Sequence, residues 1–461
     1  MSSLHEFTTW EPLLRLLHAQ HAERLAAPGG HVAGQISRGG WSVPLRRKSP
    51  PPGRASQIED MQDEFDAVEQ VRTALADSGL HDVSFVTELS PAGSAVLHLL
   101  DPGPAVEPGI GGPHPGAILL VEDAVAEPWR RLPAPAEGVS PDPAADPGLL
   151  ERTLREQLPD AIGATEAELA AAQEHLGVPL PAELKALYRV TRARWEDWDG
   201  DHEKADQVYD AVGCELFPLD RLYIADAASR RCPWQFAAME AVVTPPDAAV
   251  QGVVGSPGWI VFGDNGGGDR LAVDLTPGPR GHTGQIILLS HEENIGAELL
   301  APSLTGLVLN GESAEDGPRH RRELPAVAYV NIHGVSSVQA AAHPELEVLS
   351  IGVRDGEPVS LAPVTGLPRL RTLSAYPGTL ADPLEIAGLT GLEYLELGPE
   401  EWRVLLDAGA VPRGLLAAGI EILGERHPLP VADLADELLA LWGRPPINRT
   451  VLEGDLRSTG L

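Results

Sequence analysis

The chain has 461 residues and carries 34 Lys and Arg against 67 Asp and Glu, a formal net charge of −33. Such a field repels nucleic-acid phosphate and anionic membrane, and it favours basic partners or plain solubility. No stretch reaches the ~20 apolar residues of a membrane span, the first twenty residues lack the basic head and apolar run of a secretory leader, and Cys214 and Cys232 alone make neither a disulfide framework nor a metal quartet.

The expected setting is therefore a reducing cytoplasm, with a single Cys214–Cys232 bridge as the alternative. From the N-terminus, residues 9–25 read as a helix capped by Thr9, with Leu13, Leu14, Leu17 and Leu25 at helical spacing. His18 and His21 lie three apart there, a spacing open to metal but without a third ligand nearby. Residues 28–54, with Gly pairs, a basic Arg46-Arg47-Lys48 and a proline run, read as a solvated linker. A second helix is expected over 56–80, then strands over 83–89, 95–100 and 117–121. The Gly/Pro loop at 102–116 lacks the Gly-Lys-Ser/Thr ending of a phosphate cradle. Residues 1–133 thus form a small α+β domain of unnamed role, and the Pro/Ala-rich residues 134–148 form a linker.

Residues 163–190 read as two helices joined by a Pro-flanked loop. Seven carboxylates follow between Glu196 and Asp210, against the single cation Lys204. Trp195, Glu196, Asp197, Trp198, Asp199 and Asp201 are candidate partner-binding residues: two tryptophans in an acidic loop match an anchored contact with a charged rim. The same pattern also suits Trp195 closing a core while Trp198 caps a loop. A calcium loop fits poorly, because the required Gly and bidentate Glu are missing. Further on, residues 259–289 carry three strand patterns. The first two flank Asp264-Asn265-Gly-Gly-Gly-Asp269, a turn whose glycines permit positive φ. Asp264, Asn265 and Asp269 join the candidate contacts, although turn capping accounts for them too.

The ordered set Leu176-Gly-Val-Pro-Leu-Pro181, Leu187-Tyr188, Phe217-Pro-Leu219, the hairpin ending in Asp274-Leu275 and His291-Glu-Glu-Asn294 resembles the SUKH superfamily, which contains fungal glucan-synthesis regulators. The likeness covers about one domain's worth of chain, placed here at 149–311. It implies a helix pair plus an antiparallel sheet, a protein-binding role, no shared catalytic residues, and in bacterial members an immunity function against toxins. A basic toxin is then one possible partner.

After a short basic hinge at 318–322, the frame L-x-x-L-x-L starts at Val327, Leu346, Leu370, Leu392 and Ala417. Spacings of 19, 24, 22 and 25 residues match leucine-rich repeats, each adding a short parallel strand. Residues 323–445 are expected to form an irregular repeat solenoid closed by a helix at 433–442, with a loose tail after Pro445. Outward strand positions include Tyr329, Arg371 and Tyr394, candidate partner contacts on a concave face.

The fold expected is α+β with three such domains. The function expected is a noncatalytic protein-binding module, with no cofactor, no metal, no nucleic acid and no membrane, and with an open oligomeric state. The alternative is a hydrolase or metal-dependent enzyme using the N-terminal domain or the acidic loop. Ser256, Ser290, His282 and His291 are present, but no nucleophile elbow surrounds them.

Overall fold

The computed structural model describes residues 3–46, 61–107, 118–120, 124–135, 137–198, 200–311, 326–424 and 426–457. Asp199, Arg47, Lys48, the hinge at 318–322 and much of the 102–116 loop lie outside them. Helices combine with antiparallel and parallel sheets, so the chain is α+β. It divides into two units, residues 1–124 with 328–461, and residues 125–327.

The first unit holds two sheets. One is antiparallel, in the order Asn448–Asp455, Ser94–Asp101, Asp82–Leu89, Val32–Ser37, Trp41–Ser42. Helices Phe7–Gln20 and Gln62–Ser78 share a core with it, built on Trp10, Leu13, Leu17, Val71 and Phe85. Thr9 is buried inside the first helix rather than capping it, and its hydroxyl donates to the Ser3 carbonyl at 2.7 Å. The segment expected as a linker contains the strand Val32–Ser37. Val32 and Ile36 fill the core at its alternate positions, a period-2 signal masked by the surrounding glycines.

The second sheet runs Val327–Val330, Val348–Ile351, Thr372–Ala375, Tyr394–Leu397, Ala417–Ile420, Ile118–Leu120, Val106–Glu107. From Val348 to Ile420 neighbouring strands are parallel, and Leu349, Leu373, Leu395 and Ala418 stand in one buried register row. The strands at 106–107 and 118–120 extend this sheet antiparallel, so chain from the expected N-terminal domain completes it. The expected tail is the strand Asn448–Asp455, paired along eight residues with Ser94–Asp101. Residues 1–133 and 323–445 are therefore not two separate domains. The N-terminal sheet needs the far end of the chain.

Two residues expected to face outward from the parallel strands, Arg371 and Tyr394, are buried instead. Tyr394 is only 1 % exposed, because Gly419 beside it leaves room: a Cβ there would sit 2.7 Å from the Tyr394 hydroxyl. Arg371 is buried as well, with its guanidinium 3.4 Å from the buried Glu347 carboxylate. Tyr329, 47 % exposed on the first strand, is the one of the three that faces solvent.

The second unit is a helix-covered antiparallel sheet, in the order Glu298–Ala301, Gln285–Leu289, Arg270–Asp274, Trp259–Asp264, Glu215–Leu216. Strands 259–264, 270–274 and 285–289 form a meander, with an irregularity in the first pairing near Leu271. Helices Pro147–Gln157, Glu166–Leu176, Ala182–Val190, His202–Val212 and Leu304–Asn310 contribute to its core. The stretch expected as a linker at 134–148 is tied down instead. The Gln251 side chain bonds both the N–H and the carbonyl of Ala134 at 2.8 Å, Thr283 N–H donates to Ser140, and Asp146 caps the helix Pro147–Gln157. Proline and alanine here mark an irregular segment whose backbone groups bond side chains, a local turn and one distant backbone N–H rather than a ladder.

Candidate functional site

The tryptophan loop is built from the helix pair outward. Thr165 and Glu168 form a reciprocal capping box that starts the helix Glu166–Leu176. Helix Ala182–Val190 then ends, and Ala193 takes φ 52°, the left-handed region that a non-glycine residue enters at a cost of ~1 kcal/mol. Arg192 locks the strained turn. Its guanidinium grips Asp197 in bidentate fashion at 2.6 and 2.7 Å, and reaches Glu168 at 3.4 Å. That pairing holds the Asp197 carboxyl below its ordinary range. Asp197 thus fastens the turn, and its side chain is only 9 % exposed. Arg192→Ala is expected to cost about 1 kcal/mol locally, so that limited proteolysis within residues 195–201 runs roughly fivefold faster.

The clamp sets the 3-10 turn Trp195–Trp198 on edge. Trp195 and Trp198 meet at 5.8 Å and 85°, and Trp195 also lies 4.8 Å from the His202 ring. Trp198 packs against the core, whereas Trp195 stays 45 % exposed. Beside them opens a groove of about 450 Å³, lined among others by Trp195, Asp206, Tyr209, Glu215, Phe217 and Arg221. Tyr209 is 41 % exposed. Below it the Phe217 ring carries two guanidinium groups, Arg221 at 5.0 Å and Arg270 at 5.7 Å. Glu196, Asp201, Glu203, Asp206 and Asp210 stand exposed on the same turn and helix. Asp201 has a second task, accepting the Glu203 N–H at 3.0 Å as the cap of helix His202–Val212. Two exposed aromatics, Trp195 and Tyr209, at a recess lined by Asp206 and Glu215 and next to further exposed carboxylates, suit recognition of a basic protein surface.

Comparison with known proteins bears on the same residues. The model of the SMI1 / KNR4 family (SUKH-1) matches residues 163–310. Residues 163–310 are an SMI1/KNR4 domain. The chain is 34% identical over 100 residues to the "Glucan synthesis regulatory protein" of Neurospora crassa, covering 21% of this chain and 19% of that protein. It is 26% identical over 191 residues to the "Cell wall biosynthesis/cell cycle regulator smi1" of Schizosaccharomyces pombe, covering 39% and 34%. A "KNR4/SMI1 homolog" of Yarrowia lipolytica matches at 47% over 47 residues, covering 10% and 7%. The matches therefore span about a third or less of each relative. The Neurospora crassa and Schizosaccharomyces pombe relatives bear the names of regulators.

In the SMI1/KNR4 domain the DNGGGD hairpin is internally satisfied. Asp264 accepts from Gly266 N–H and pairs with Arg270 at 2.8 Å; Asn265 accepts from Gly267 and Asp269 N–H. Asp269 takes the N–H and the ring nitrogen of His291 at 3.0 and 2.7 Å, which lowers its pKa. These residues shape the turn. The residues weighed for catalysis are likewise engaged: Ser256 is fully buried, 2.5 Å from the Thr276 hydroxyl. Burial pushes the Cys214 thiol up to about 12, so it presents no thiolate to the groove. Cys214 and Cys232 are not disulfide-bonded, and among the described residues no three His, Cys, Asp or Glu side chains are grouped to hold a metal. Among the same residues no helix is long and apolar enough to cross a membrane.

Sequence reading missed Tyr209, Glu215, Phe217 and Arg221. A signal existed for the first: His202, Ala205, Asp206 and Tyr209 follow i, i+3, i+4, i+7 spacing and line one wall of the groove. The others arrive from strand Glu215–Leu216 and the turn after it, a juxtaposition no local pattern encodes.

Proposed function

We propose that this chain is a noncatalytic regulatory protein that acts by capturing a basic protein partner, with the Trp195 face of its SMI1/KNR4 domain as the contact. The observation that carries this reading is the groove itself. Large apolar side chains are normally buried, yet Trp195 and Tyr209 stand half-exposed at a recess whose lining includes the carboxylates Asp206 and Glu215. Regulator names among the relatives support the regulatory role, and the engaged serines and protonated thiol supply no activated nucleophile. The same face would serve an immunity-type role where the partner is a basic toxin.

The parallel array is read as degenerate leucine-rich repeats, supported by the shared frame and the buried leucine row. Its proposed contribution to binding rests on Tyr329 alone among the residues singled out. Cytoplasmic residence is proposed from the acidic composition and from two cysteines that are not disulfide-bonded.

The test is capture of partners from the native host by wild-type chain and by Trp195→Ala. Truncating an interface aromatic of this kind costs about 2 kcal/mol, a roughly 30-fold loss of affinity. A partner held equally by a folded Trp195→Ala chain would overturn the assignment of this face.

A further inference from the structure

We propose that the His31–His427 pair is an acid-sensitive latch that fastens the start of helix Pro428–Leu441 to the first sheet of the unit formed by residues 1–124 and 328–461. The argument begins with the helix. Its first turn reads Pro428-Leu429-Pro430, so Leu429 carries the one N–H among these three residues. That N–H donates to His427 Nδ1 at 3.3 Å. An imidazole nitrogen that accepts carries no proton, so the neutral ring holds its hydrogen on Nε2, which faces the Glu88 carboxylate at 3.5 Å. The His31 ring lies against it, centroid to centroid 4.3 Å and tilted 50°. His31 is buried and its Nδ1 lies 3.2 Å from the Gly29 carbonyl.

Protonating His427 places a hydrogen on Nδ1, pointed at the N–H it had accepted. It also sets a cation at a helix N-terminus, where the macrodipole is already positive, and against the His31 ring, which disfavours the charged form. The surrounding groups do not cancel this. Glu88, on strand Asp82–Leu89, attracts the charged ring but is half exposed and screened. His98, on strand Ser94–Asp101, opposes it. Arg426, next in the chain, is occupied by Glu400 at 2.9 Å. Burial, then His31, push His427 below its ordinary value, and Glu88 only partly offsets them. A histidine depressed in the folded state contributes stability that is present above about 6.5 and is lost as the pH falls below it. The latch is shut at neutral pH and strained in acid.

The experiment compares the intact chain with His427→Asn, a side chain that caps a helix without titrating. Amide exchange at Leu429 and Val431, corrected for intrinsic rate, is followed at pH 7.5 and 5.5. Wild type should lose roughly tenfold or more protection at pH 5.5 while His427→Asn keeps its own. Equal losses in both proteins would overturn the latch. The ring titration of His427 in the wild-type chain, read by NMR, decides the matter without any variant: a midpoint below 6.5 supports it and one at or above 6.5 defeats it.

Discussion

Replacing Asp274 with alanine is expected to lower the melting temperature of the 125–327 unit by about 6–12 °C, a loss of about 3 kcal/mol. The carboxylate is fully buried and accepts from Trp259 Nε1 at 3.0 Å, Gln285 Nε2 at 2.9 Å and Thr276 N–H at 2.8 Å. It thereby joins the first and third strands of the meander through the middle one. Alanine leaves these donors dry and unpaired, each costing 1–3 kcal/mol. Asparagine keeps one acceptor oxygen and should lose less. Burial pushes the Asp274 carboxyl above its ordinary range, against the pull of those hydrogen bonds. An acid raised in the folded state keeps its proton longer there than in the unfolded chain. Its contribution is therefore largest in acid and declines as the pH rises through the folded value. The melting-temperature gap between wild type and Asp274→Asn should accordingly be wider at pH 4 than at pH 7. Calorimetric scans of both proteins measure it, and a gap that grows with pH would refute the account.

Ending the chain after Pro446 is expected to unfold or severely destabilise the unit formed by residues 1–124 and 328–461, by on the order of 5 kcal/mol. The cut removes the outer ladder on strand Ser94–Asp101, the buried side chains of Ile447 and Leu456, and the Arg449 ion pairs to Asp433 and Asp436. Gly454→Val probes the same strand more gently. Even a Cβ at position 454 would stand 2.3 Å from the Phe7 ring, so that ring, the strand or the first helix must shift. Urea titration of either variant checks the claim, and a wild-type midpoint for the truncated chain would show that the strand is dispensable.

What the sequence revealed was decided by range. Trp259, Leu271, Val273 and the glycine turn between them signal a hairpin within twenty residues, and that hairpin is where it was expected. The recurring Leu349, Leu373 and Leu395 likewise declare stacked strands, since each repeat repeats its own local pattern. The strand Asn448–Asp455 sends no such signal: its alternation is shallow because it is a sheet edge with one neighbour, and that neighbour lies 347 residues away at Asp101. The candidate site divides the same way. The two tryptophans and the run of carboxylates stood out in the sequence, but as a loop: the helix His202–Val212, the exposure of Trp195 and the grip of Arg192 on Asp197 come from the fold. Arg371 and Tyr394 were placed outward by strand alternation alone. Alternation assigns a face and cannot say whether that face is covered.

The discontinuous unit also sets an order of events during translation. The strand Ser94–Asp101 emerges from the ribosome long before its outer neighbour exists, and the whole SMI1/KNR4 domain is synthesised in between. At 5–20 residues per second, that strand waits on the order of tens of seconds with one side of its backbone unpaired. Over that interval the inserted domain has time to mature, while the nascent sheet offers a template to any other extended peptide. Chaperone dependence and misassembly during expression should therefore concentrate at the N-terminal sheet, and supplying residues 447–457 as a separate peptide in trans is the direct way to shield it.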